Sequence, residues 1–196
     1  NATFRFPQRG GTGAIWQSLA SQLPESQLSF GRTVVAIDSG ARRLHLSDGT
    51  EDRYDALVSS MPLSTTLRLT TDLPDLHPYA DRFVHSSSHI VGVGFAGAPS
   101  EALRTKCWMY FPEGDTPFYR VTVFSNYSEN NVARPGEQWS LMAEVSESSV
   151  KPVDATRIVD DVIEGFRRVG FIDGQTPIVT RWHRRLPHGY PTPWLG

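Results

Sequence analysis

Residues 106–128, KCWMYFPEGDTPFYRVTVFSNYS, constrain the fold more than any other stretch of the chain. Two apolar-aromatic runs flank residues 112–117 (PEGDTP), whose prolines, glycine and aspartate have fixed or permissive turn geometry. The stretch reads as a β-hairpin with arms at 107–111 and 118–127. Alternate strand residues point to opposite faces. Trp108 and Tyr110 therefore share a face, while Tyr119, Val121 and Val123 lie opposite Phe118, Arg120 and Thr122. Such a hairpin is either an ordinary sheet core, since aromatics favour strands, or a ligand platform. As a platform it offers the ring and hydroxyl of Tyr110 and the planar cation of Arg120, which suits phosphate.

The elements around this hairpin define an α+β fold. The turn Gly10-Gly11-Thr12-Gly13 leads into a helix with Ile15, Leu19 and Leu23 on one stripe, ended by Pro24. Short strands follow at 33–38, 42–47 and 54–60 (YDALVSS), then a helix starting at Pro62. The proline-rich residues 72–78 mark a division near residue 74. Beyond it come strands at 85–96, 138–146 and 177–186, and a helix capped by Asp154 and running to Val169. In the first of these strands Gly92 and Gly94 share a face, which predicts close approach by another group. Residues 187–191 (PHGYP) read as a tight loop.

Composition narrows the function classes. A formal net charge of -2 gives no global attraction for nucleic acid. The single cysteine, Cys107, excludes an internal disulfide and fits a reducing, cytoplasmic setting. No apolar run approaches the ~20 residues of a membrane span. The glycine turn is neither G-x-G-x-x-G nor a P-loop and carries no nucleotide claim. Glu144 and Glu147 have no spacing that defines paired catalytic carboxylates, and His183 and His188 lack partners at metal-ligand spacing. Asn126-Tyr127-Ser128 matches a short glycosylation acceptor without a secretory context. Arg181, Arg184 and Arg185 precede the 187–191 loop, so several cationic donors approach a turn able to display Tyr190.

Four stretches together resemble the eukaryotic type of UDP-galactopyranose mutase, a flavoprotein of the amine oxidoreductase-like superfamily. They are residues 1–16 (NATFRFPQRGGTGAIW), the central hairpin, 139–153 (WSLMAEVSESSVKPV) and 183–193 (HRRLPHGYPTP). The resemblance implies that residues 1–74 are a middle piece of a discontinuous FAD-binding domain, with 56–62 near the cofactor. Residues 75–196 would be a mostly antiparallel substrate-binding sheet with a crossing helix. The chain then reads as an internal fragment that does not retain FAD by itself.

The family interconverts UDP-galactopyranose and UDP-galactofuranose through a sugar adduct at N5 of reduced flavin. On this resemblance Tyr110 sits in the nucleotide pocket, Arg120 and Tyr190 hold the diphosphate, and Asn1 faces the sugar. UDP-galactose is the implied substrate, a homo-oligomer is compatible with the reading, and neither nucleic acid nor membrane is a partner. Two other classes stay open: amine oxidases or desaturases of the same fold group, and a non-catalytic sugar-nucleotide binding protein. A diphosphate clamp separates the mutase from the first of these, and flavin content separates it from the second.

Overall fold

The computed structural model describes residues 4–193. In chain order it contains α1 (Gly13–Ala20), β1 (Val34–Asp38), β2 (Arg43–Leu46), β3 (Glu51–Arg53), α2 (Leu63–Leu69) and α3 (His77–Ala80). There follow β4 (His85–Ala96), α4 (Glu101–Arg104), β5 (Trp108–Tyr110), β6 (Arg120–Val123), β7 (Gln138–Glu147), α5 (Ile158–Arg168) and β8 (Ile178–Pro191). Backbone contacts group the residues up to Ala20 with Ser86–Tyr190 in one unit, and Ser21–His85 in another. The sequence expectation of a division near residue 74, with the first twenty residues on its N-terminal side, differs from this grouping.

The smaller unit is built on an antiparallel meander, β1-β2-β3. Gly49, at φ 82°, closes the second turn, while the Asp48 carboxylate accepts the Thr50 N–H. The first turn is tied from outside the hairpin. Asp72 accepts from the Ser39 N–H, the Ser39 hydroxyl and the Gly40 N–H at 2.7–2.9 Å. Residues 54–60 form no strand here, contrary to their apolar pattern. A strand needs a neighbour for its backbone groups, and after the Tyr54 N–H, which donates to Arg42 O at 3.1 Å, no ladder continues along this segment among the described residues. Val58 is left 96% exposed.

The larger unit is a five-stranded antiparallel sheet in the order β5-β6-β7-β4-β8, crossed on one face by α5. Alternation decides which face each residue takes. Val91, Val93 and Phe95 of β4, Leu141, Ala143 and Val145 of β7, and Val121 and Val123 of β6 are buried with Val162, Ile163 and Phe166 of α5. Gly165 lets α5 come close, since a Cβ there would lie 2.7 Å from the Phe118 ring. Asp154 lies ahead of the helix rather than at its cap: its carboxylate closes a turn on the Thr156 N–H, and α5 begins at Ile158.

The second hairpin arm is shorter than its pattern predicts. It ends at Val123, where residues 124–126 turn into a 3-10 helix. Asn126 forces that turn by donating its Nδ2 to the carbonyls of Leu103, Arg104 and Lys106 at 2.7–3.1 Å. Its amide is thus a structural tie and not an open glycosylation acceptor. The N-terminal segment packs beside this turn, with Phe4 against Trp108 and Tyr127, and Phe6 against Phe124 and Tyr127.

Residues 187–191 are not a tight loop but the continuation of β8 along β4. The Ala96 N–H donates to Pro177 O near one end, and the Ser86 hydroxyl reaches Tyr190 O at the other. The expected close approach at the β4 glycines is present: Trp182 lies over Gly92, and Thr180 over Gly94.

Candidate functional site

The sheet face opposite α5 carries the polar cluster. Register puts Tyr110 of β5 beside Arg120 of β6, Arg120 beside Glu144 of β7, and Glu144 beside Ile90 of β4. Arg120 Nε donates to Glu144 Oε1 and Nη2 to Oε2, both at 2.7 Å. The Tyr119 hydroxyl donates to the same Oε2, also at 2.7 Å. The Glu144 side chain is 8% exposed and the Arg120 side chain 27%, so the fork is held at the edge of the protein interior. Burial, and then the bond to Glu144, pushes the Tyr119 hydroxyl far above its ordinary pKa and keeps it a donor.

The outer edge of the guanidinium meets two tyrosines. Nη1 lies 3.5 Å from the Tyr110 hydroxyl, and Nη2 lies 3.4 Å from the Tyr190 hydroxyl. Both rings are open to solvent, Tyr110 at 61% and Tyr190 at 50%. Because Glu144 offsets the arginine charge, the cluster acts through directed N–H and O–H donors more than through net charge. Such an edge suits anionic oxygens.

Three of the four sequence-predicted site residues, Tyr110, Arg120 and Tyr190, therefore come together. Asn1 lies outside the described residues. Arg181 and Arg185 do not join them. They point to the other side of the sheet, where Arg181 pairs with Asp160 and Arg185 with Glu147. His183 bonds His89 instead of a metal, and no group able to hold a metal ion occurs among the described residues. Sequence reasoning missed Tyr119 and Glu144. Alternation sends Tyr119 to the face opposite Arg120, and nothing local reveals that Glu144 registers with Arg120 across β6 and β7.

The sequence profile of the flavin-containing amine oxidoreductases matches residues 2–192. The chain belongs to that family. This family member is also similar to the crystal structure of a reduced UDP-galactopyranose mutase, with 42% identity and a TM-score of 0.92. The match covers 97% of this chain and 41% of the mutase chain. A protein from Exiguobacterium sp. 255-15 that carries the name protoporphyrinogen oxidase is 16% identical, with a TM-score of 0.72 over 95% of this chain and 41% of its own. A CLA-producing fatty acid isomerase from P. acnes is 16% identical, with a TM-score of 0.57 over 91% of this chain and 40% of its own. At such identities the last two show a shared fold alone. No helix among the described residues is long and apolar enough to cross a membrane.

Proposed function

We propose that this chain is the substrate-binding portion of a flavin-dependent UDP-galactopyranose mutase, with UDP-galactose as substrate and FAD as cofactor. The observation that carries the reading is the meeting of Arg120 Nη2 and the Tyr190 hydroxyl at 3.4 Å from positions seventy residues apart, beside the Tyr110 ring. An amine oxidase or desaturase of the same fold group has no use for donors placed to receive a diphosphate.

The described residues fit one side of a flavin site rather than the whole of it. Helix α1 buries none of its side chains, leaving Ile15, Trp16 and Leu19 open. Uncovered apolar surface of this kind suits a cofactor site completed by further segments. When bound, reduced flavin supplies the nucleophile for the anomeric carbon.

The chain's own residues bind and orient. Tyr110 offers its ring to the uracil base, and Arg120 and Tyr190 donate to the diphosphate. As the anomeric C–O bond breaks, negative charge grows on the departing phosphate, where preorganised donors stabilise it. Glu144 and Tyr119 hold Arg120 in place, so little reorganisation is needed at that moment.

The test is UDP-galactose binding and turnover in the full-length enzyme. A charge-assisted hydrogen bond contributes ~1.5–3 kcal/mol and a neutral one about 0.5–1.5 kcal/mol. Arg120→Lys keeps the charge but loses the fork, and weakens binding more than Tyr190→Phe does. If neither variant changes affinity, the clamp reading fails.

A further inference from the structure

On the helix-facing side of the sheet, His89 of β4 is fully buried. Its Nδ1 lies 2.8 Å from Nε2 of His183 on β8, with the ring planes within 5° of parallel. Its Nε2 stands 3.3 Å from Glu147 Oε2 on β7, at ion-pairing distance but outside hydrogen-bond geometry. Arg185 of β8 donates to that same oxygen and also reaches Ser87 Oγ of β4 at 2.9 Å. This chain of groups ties three strands together. Strand β8 needs the tie, because along its fourteen residues only Ile178, His183 and Gly189 are half-buried and the others are exposed.

A hydrogen bond between two imidazole nitrogens requires one proton and one lone pair. The facing nitrogens of His89 and His183 therefore hold one proton between them. A second proton sets two N–H groups and two like charges against each other. Glu147 is shared between the pair and Arg185, and Asp160 of α5 is paired with Arg181, so neither carboxylate is left to compensate a second charge on the pair.

We propose that the His89–His183 pair is a proton-operated latch that seats β8 against β4 and so holds Tyr190 beside Arg120. The latch makes the UDP-sugar site pH-sensitive, and this rests on the clamp reading above. Burial, together with the neighbouring His89, holds His183 below its ordinary value of 6.5. The released strand thus binds more protons than the latched one in that window. Latching is complete above pH 6.5 and is lost as the pH falls toward the lowered value.

The experiment uses the full-length flavoprotein and UDP-galactose, a diphosphate diester that does not titrate in this range. Affinity and hydrogen exchange of the β8 amides are followed from about pH 8 to about pH 5.5. Uptake of one proton by the released strand weakens wild-type binding by roughly three- to tenfold at the acid end, with β8 protection falling in parallel. His183→Gln, whose amide donates without titrating, flattens both curves. Superimposable wild-type and variant profiles overturn the latch. Should the variant fail to fold, ring-nitrogen NMR of the wild type decides: protonation of His183 at or above its ordinary value overturns the latch, and protonation below that value supports it. A wild type that binds no UDP-galactose at any pH refutes the clamp instead, while β8 exchange still tests the latch.

Discussion

Glu144→Gln separates geometry from charge at the clamp. Glu144 accepts three hydrogen bonds of 2.7 Å, two from Arg120 and one from Tyr119, with its side chain 8% exposed. Glutamine keeps the volume but turns one acceptor oxygen into an NH₂ group, which then faces a donor. At least one charge-assisted bond is lost, worth ~1.5–3 kcal/mol. Arg120 is 27% exposed, so water compensates part of that loss and the lower end of the range applies. About 1.5 kcal/mol corresponds to roughly tenfold in affinity. The sign is the informative part. Removing a carboxylate makes the site more positive, so simple Coulomb attraction predicts tighter binding of a diphosphate. Preorganisation predicts the reverse, because the guanidinium is no longer held with its outer edge toward Tyr110 and Tyr190. Calorimetric titration of the full-length enzyme with UDP-galactose, at low and high salt, reads the difference. Tighter binding by Glu144→Gln refutes the reasoning.

Tyr110→Ala is expected to weaken UDP-galactose binding by roughly 1–2 kcal/mol through lost ring contact, leaving flavin content unchanged. Equal losses of both ligands return Tyr110 to the general core. Gly189→Ala drives a Cβ into Ser88 Oγ and to 3.0 Å from Ser86 O. The overpacking costs about 1–3 kcal/mol and lowers the melting temperature, with weaker substrate binding as Tyr190 shifts; a variant as stable as wild type counts against the close strand contact. The hydrogen bonds from Ser39 and Gly40 lower the Asp72 pKa from 3.8 to about 2. Its folded pKa is depressed, so its contribution is present above 3.8 and disappears as the pH falls toward 2, and Asp72→Asn should flatten acid unfolding across that window.

Local pattern was enough for the elements whose residues settle their own environment. The alternation in β4 and β7, the stripe Ile158–Val162–Phe166 and the turn around Gly114, at φ 78°, all follow from side chains acting on their own backbone. The paired glycines Gly92 and Gly94 correctly signalled a close neighbour, though not that the neighbours are Trp182 and Thr180. Tyr110, Arg120 and Tyr190 were legible through their resemblance to a family, because spacing alone left packing and phosphate binding both open. What the tertiary structure decided is pairing. Residues 54–60 have strand chemistry but, beyond the Tyr54 N–H bonded to Arg42 O, no ladder among the described residues, whereas 187–191, with two prolines and a glycine, continue a strand because β4 offers an edge. Arg181 and Arg185 turn from the clamp because Asp160 and Glu147 wait on the opposite face. Glu144 becomes the seat of Arg120 only through the β6–β7 register. Periodicity is a property of the chain's own geometry and is written locally. Register depends on which distant backbone supplies the complementary hydrogen bonds, and no stretch of sequence carries that by itself.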